Sequence, residues 1–523
     1  MRQDSHSPPL MIFGLDAGDA EYIRRWAQEG YLPNISSIME EGCWGHIGGP
    51  DLMSTQGAWL SMFSGIPRHK HGFYFNRQLI PGTYELQDIS PSNTGVQPFW
   101  SHLRGSSKKV AVIDALETNV QNDLPGIQLV NLAIQQQFNT AVAPMFAAPA
   151  TLLDDIRRIV GGIPAIDVYN LGESVKEDLA DYHLLLERIE KKGRLCRHLL
   201  EGDQYDLTVI TFVEAHTAAH RLWDYRPEGM RFNSATSEGC QLSTGIRDVY
   251  QAIDREIGLL LKQFSEKPNI VVLSLFGMKD LQPTSGLIES FCRQLGYHVA
   301  PSGISKDLVP LALARRIIPQ KLRNRVSLLF PLRLQHRLQA QRFLSQTDWN
   351  RTMAFPLPGL YSSLIRVNLR GREPNGSVEP GREYEELLSR LEADLRQLVD
   401  ARSGKPVIET VTKTVEAYSC DPPAVLPDLV VEWKASPRFI DRVLHPKCEL
   451  VQIPPLYNRS SYHSFQGFFA ASGPSITSGA YLGEIPVLDF APTFFSLLGE
   501  RPLHRFAGQM IDRMICREAP HHG

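Results

Sequence analysis

Cysteine is scarce in this sequence and poorly placed for covalent work. The seven cysteines (Cys43, Cys196, Cys240, Cys292, Cys420, Cys448 and Cys516) are odd in number and never spaced as CxxC. That pattern argues against a disulfide frame and a thiolate zinc site, and it predicts reduced thiols in a cytoplasmic protein. Long apolar runs are missing too: none reaches the ~18–20 residues of a membrane span. The opening Met1-Arg-Gln-Asp-Ser-His-Ser-Pro-Pro carries no basic patch leading into an apolar segment, so no secretory leader is expected. Neither sign of charge dominates, since 54 Lys and Arg face 57 Asp and Glu, a net charge of −3. Nothing global therefore draws the chain to a nucleic-acid polymer or a membrane. Internal repeats and low-complexity tracts do not stand out. What remains is a chain of 523 residues, 43% hydrophobic and 21% charged, ordinary for a globular protein of roughly three domains.

Within it, short continuous apolar runs alternate with helix-compatible stretches. Leu10–Leu15, the β-branched run that opens at Asp206, and Asn269–Ser274 read as buried strands, the kind found in a parallel sheet between helices, and Val110–Asp114 and Ile127–Val130 read as further strands. Residues 20–28, 151–160, 174–201 and 384–399 read as helices, and 100–103 as a short one. The expected fold is α/β, a mostly parallel central sheet with helices on both faces. Residues 303–404 change character, with arginines and prolines clustered between 315 and 337. A solvated helical face explains that stripe better than nucleic-acid contact. The segment is expected as an inserted helical cap on a core formed by 1–302 and 405–523.

The most informative stretch follows the strand at 207–212. His216 and His220 lie four residues apart, so on a helix they stack on one face about a turn apart. Two ordinary helix histidines would look the same, but the spacing suits two imidazoles on one metal ion. Its place at the exit of a buried strand favours the metal, because open α/β sheets bind ligands beyond the carboxyl ends of their strands. Asp16 closes the first strand and suits a hard cation or a helix cap. Thr55 precedes a helix of apolar period (Trp59, Met62, Phe63), where a hydroxyl either caps the helix or stands beside a bound anion.

An ordered set of pieces then carries a resemblance. Gly14-Leu-Asp16, Gly30-Tyr-Leu-Pro33-Asn34, Thr55-Gln-Gly-Ala-Trp59, Ser64-Gly65-Ile-Pro67-Arg-His-Lys-His71-Gly72, the His216/His220 pair, Gly277-Met278, His463 with Gly467, and Ala491-Pro492-Thr493 run in sequence order. Together they resemble the alkaline phosphatase superfamily, closest to its type I phosphodiesterase/nucleotide pyrophosphatase branch. The stretch from Arg366 to Glu373, with Asp428-Leu-Val-Val, is similar to bacterial predicted phosphodiesterases of that group. The resemblance implies a zinc-dependent hydrolase acting on a small, anionic substrate. It implies one ion on His216, His220 and His463. A second would rest on Asp16, on the nucleophile Thr55, and on an Asp-His pair just before Gly277-Met278. That pair is replaced here by Leu275 and Phe276, so one zinc is expected and the second site lacks two of its ligands. Asp280, Glu214 or a substrate phosphate are the candidate replacements. The expected site is Thr55 and Asp16 as catalytic residues, His216, His220, His463 and Asp16 on metal, and Trp59, Glu214 and Arg459 on substrate. Two other functions stay open: a one-zinc enzyme turned to acyl or related substrates, and a metal-binding homologue without turnover. The sequence does not fix the oligomeric state, and a homodimer stays open.

Overall fold

The computed structural model describes residues 7–132, 145–161, 166, 174–229, 236–280, 284–301, 347–452 and 460–516. The chain divides into two compact units. One comprises Met1–Phe73, Ser90–Asp280 and Arg459–Gly523, the other Tyr74–Ile89 and Leu281–Asn458.

The first unit is built on a nine-stranded sheet. Across it run Ala480–Pro486, Cys43–Gly48, Gly467–Ser472, Asn269–Ser274, Leu10–Leu15, Leu207–Phe212, Val110–Ile113, Gly126–Val130 and Phe146–Ala148. The five strands from Asn269–Ser274 to Gly126–Val130 are mutually parallel. Four of them, Asn269–Ser274, Leu10–Leu15, Leu207–Phe212 and Val110–Ile113, bury both faces because their residues alternate between two cores. Met11, Phe13 and Leu15 point into one, with the helices Ala20–Gln28, Val175–Leu200 and Ser237–Leu261. Leu10 and Ile12 point into the other, with Ala58–Ser64 and Phe490–Leu497. This is the α/β architecture expected from the apolar runs. Residues 99–103 form a 3-10 turn in place of the short helix expected at 100–103.

Register decides what meets at the rim. Leu15 pairs with Phe212, and Gly14 with Leu273. Asp16, Val213 and Leu275 therefore leave the sheet side by side. A short antiparallel ribbon of Gly277–Asp280 and Ser461–Ser464 follows, placing His463 opposite Met278. The ribbon passes close to Asp19, whose carboxylate accepts from Met278 N at 3.0 Å. A Cβ on Gly277 would sit 2.5 Å from that carboxylate and 2.6 Å from Ser464 Oγ, so only glycine fits.

The second unit carries a four-stranded antiparallel sheet in the order Ala354–Leu357, Ser363–Val367, Leu429–Trp433, Ile408–Lys413. It reaches further than the 303–404 segment expected from composition. The strand Leu429–Trp433, which lies within the 405–523 part expected in the core, pairs with Ser363–Val367. Inside this unit Arg372 makes a two-pronged contact with Asp428 at 2.7 and 2.8 Å, and Arg366 meets Glu373 at 2.8 Å. Tyr384 donates to Asp428 at 2.7 Å. The 366–373 and 428 motif is thus a buried, self-neutralising brace. The arginine-rich stretch at 315–337 lies outside the described residues.

Candidate metal centre

The Leu207–Phe212 strand ends in Val213, and the helix Glu214–Leu222 begins at once. One turn separates His216 from His220, and their ring centroids lie 4.7 Å apart. His463 joins them from the ribbon, at 4.8 Å from His216 and 5.4 Å from His220. The ligand nitrogens of the three all fall within 4.8 Å of one another, and among the described residues this is the one such group of three or more His, Cys, Asp or Glu. His463 Nε2 and His216 Nε2 are 3.2 Å apart. Two nitrogens on a tetrahedral zinc, each bonded at about 2.0–2.1 Å, stand about 3.3 Å apart. The donor set therefore fits a zinc-type ion, with nitrogens up to 4.8 Å apart needing to close by about 1.5 Å on the same bond lengths.

Neighbouring hydrogen bonds fix which nitrogen faces inward. Ser461 Oγ donates to the carbonyl of Ala219 at 3.0 Å, which uses its only proton. The same oxygen lies 3.2 Å from His220 Nδ1 and so accepts from it, leaving the Nε2 lone pair as the metal-facing atom. Asp16 Oδ2 lies 2.9 Å from His216 Nδ1. The N–H is not aligned for a full hydrogen bond there, but the pairing likewise turns Nε2 toward His463. Asp16 Oδ1 accepts from Trp59 Nε1 at 3.3 Å. Asp16 thus sits behind His216, between an imidazole and an indole, and is not a member of the three-nitrogen group.

The other expected residues fall in different places. Trp59 is 3% exposed, stacks on Phe63, and spends its N–H on Asp16, so it braces the carboxylate and offers no open face. Glu214 is 1% exposed and lies in the field of Arg188 and Lys192, away from solvent and outside the histidine group. Asp280 accepts from Trp223 at 2.6 Å and Arg226 at 2.8 Å. Neither carboxylate replaces the ligands missing at 275 and 276. Arg459 lies outside the described residues. Leu275 and Phe276 are both buried, and the Phe276 ring stands edge-on to His463 at 5.9 Å.

Thr55 lies in an irregular segment three residues ahead of the first residue of its helix. The N-cap of Ala58–Ser64 is Gly57, with no side-chain cap from its own residue, so neither Ser54 nor Thr55 fills that role. The cap comes from Glu117, a residue sequence reasoning missed. Its carboxylate accepts from Gly57 N at 2.7 Å and Leu60 N at 3.0 Å. The helix start expected to favour a bound anion already holds a carboxylate of the chain itself. Burial pushes Glu117 up to about 7, against the lowering pull of those two N–H groups and of Arg68. Glu117 follows the Val110–Ile113 strand by four residues at a positive φ of 56°. The strand-exit rule that flagged Asp16 and His216 would have flagged this loop as well.

Fold and site together define an alkaline phosphatase-like α/β protein with a candidate metal centre on its strand rim. The family model for type I phosphodiesterase/nucleotide pyrophosphatase matches residues 10–435, and the chain belongs to that family, within the alkaline phosphatase superfamily. Membership places it with metal-dependent phosphodiester hydrolases. The match ends before His463, which enters the group through the geometry. No curated protein matches the chain. Among the described residues, no helix is long and apolar enough to cross a membrane.

Proposed function

We propose that this chain is a phosphoester hydrolase of the phosphodiesterase type, with Thr55 as nucleophile and one zinc ion on His216, His220 and His463. The convergence of three imidazoles at a strand exit, in a chain of this family, carries the reading. Thr55 Oγ would lose its proton to water and bond to phosphorus while the ester oxygen leaves with the electron pair of the broken P–O bond and takes up a proton from water. Water would then cleave the phosphothreonine and regenerate the hydroxyl. A zinc ion, when bound, supplies Lewis acidity to the phosphoryl oxygens and a lowered pKa for a coordinated hydroxyl or water. Ser461 holds His220 in the tautomer that presents Nε2, and the Asp16 carboxylate lies beside His216 Nδ1. The substrate is small and anionic, and the compartment is the reducing cytoplasm suggested by the odd number and scattered spacing of the cysteines. The buried Leu275 and Phe276 favour a second reading, a one-zinc enzyme acting on an acyl or thioester carbonyl.

Metal content per chain, measured beside activity on phosphomonoesters, phosphodiesters and thioesters, separates these. The expected result is about one zinc per chain, from the single three-histidine set, with turnover of a phosphodiester that Thr55→Ala abolishes. Full activity in that variant removes the nucleophile, and turnover of thioesters alone selects the second reading. Metal without turnover of any class leaves a binding homologue.

A further inference from the structure

Between Asp51 and Gly65 only Ser54, Thr55 and Gln56 reach the surface, and the residues on either side are buried. Such a short irregular segment must place its backbone polar groups somewhere. The carbonyl of Thr55 accepts from Ala58 N at 3.5 Å, and the carbonyls on either side of it go to one side chain. The guanidinium of Arg68, wholly buried, donates to the carbonyl of Ser54 at 2.8 Å, to that of Phe73 at 3.1 Å, and to those of Asp51 and Gln56. On the other side, the Glu117 carboxylate takes the N–H groups of Gly57 and Leu60. Gly57 links the two anchors at φ 89°, and a Cβ there would stand 2.3 Å from the carbonyl of Phe73 and 2.7 Å from Arg68 Nη1. A second ring holds Arg68 itself in place. Asp51 accepts from the Arg68 N–H and from Ser61 Oγ, and Ser61 meets His71 Nε2 at 2.8 Å. His71 Nδ1 accepts from Phe73 N at 3.0 Å, so its Nε2–H donates to Ser61. The Ser61, His71 and Asp51 set therefore runs opposite in polarity to a nucleophilic triad and serves as scaffolding.

We infer that Arg68 and Glu117 are positioning residues, a cationic clamp on the carbonyls and an anionic clamp on the N–H groups that together fix Thr55 on the rim. The inference rests on Thr55 as the nucleophile. Its physical content is preorganisation: a misplacement of about 1 Å at a reacting atom costs roughly 100-fold in rate.

The test uses the full-length, zinc-loaded chain with bis(p-nitrophenyl) phosphate, comparing Glu117→Ala, Glu117→Gln and Arg68→Lys. In Glu117→Ala, kcat falls about 10- to 100-fold, KM and metal content hold, and amide exchange quickens only in the 51–60 segment. Glu117→Gln keeps one accepting oxygen and recovers part of kcat; Arg68→Lys shifts kcat and exchange in the same direction as Glu117→Ala. Wild-type kcat and exchange in Glu117→Ala overturn the clamp, as does a loss confined to KM or metal content. If Glu117→Ala does not fold, Glu117→Gln decides on the same readouts, with lowered kcat and quickened exchange as the supporting result. If the wild type does not turn over the diester, the function fails and exchange alone decides: acceleration confined to 51–60 supports the clamp, and unchanged exchange removes it.

Discussion

Two neighbouring corners of one sheet rim have taken opposite chemistry. At the exit of Leu207–Phe212, His216 and His220 meet His463 with their nitrogens in reach of a common ion. At the exit of Asn269–Ser274, one strand beyond Leu10–Leu15, Leu275 and Phe276 turn hydrocarbon into buried space. The strands have the same apolar character and end at the same level. One chain then turns into the helix that carries His216 and His220, the other passes through Leu275 and Phe276 into the ribbon. A cation needs lone pairs to replace its water, and the second corner offers none. Asp16, which stands between the corners, is drawn to the polar one: its carboxylate lies against His216 and takes the indole N–H of Trp59. The lesson is that the scaffold positions a site, while the side chains at the strand exits set how many ions it holds.

The contrast can be broken most directly at the imidazole corner. His220→Ala removes one of three nitrogens and is expected to take bound zinc from about one per chain, the one-site reading, to near zero after dialysis. Metal analysis that still finds a full equivalent would end the assignment. Rebuilding the apolar corner is the second step. Leu275→Asp with Phe276→His adds two donors beside Asp16, and equilibrium titration should then register a second, weaker equivalent of zinc. A stoichiometry fixed at the wild-type value in a folded double variant would mean that Asp16 and Thr55 do not face that corner. The smallest expected effect sharpens the part of Asp16. Asp16→Asn keeps the shape and loses the charge behind His216, which should weaken zinc binding about 10- to 100-fold, the usual cost of losing an outer-shell partner. Competition with a chelator measures it, and unchanged affinity would leave Asp16 without a part in orienting the imidazole.

Much of the core was legible because its strands are covered on both sides and must be continuously apolar. Leu10–Leu15 and Asn269–Ser274 could hardly be read otherwise. The histidine pair was legible because helical spacing is a local property. Partner choice is not local. The run at 429–433 has the same β-branched look as a core strand, and nothing in it reveals that its neighbour is Ser363–Val367. Side-chain direction was hidden for a similar reason. Trp59 sits on an apolar helix period, and the sequence does not tell whether that face is spent inward on Asp16 or left open to a ligand. Glu117 belongs to no motif, and its role appears only when the Val110–Ile113 strand is set near the start of the Ala58–Ser64 helix.

The ribbon that delivers His463 has a thermodynamic corollary. His463 and His216 are 247 positions apart along the chain. A cation shared by them would tie the C-terminal strands to the middle of the sheet, much as a covalent staple closes a long loop. Occupancy and folding of that end of the molecule then become linked quantities, with free ion at a hundred times its dissociation constant adding about 2.7 kcal/mol of resistance to unfolding.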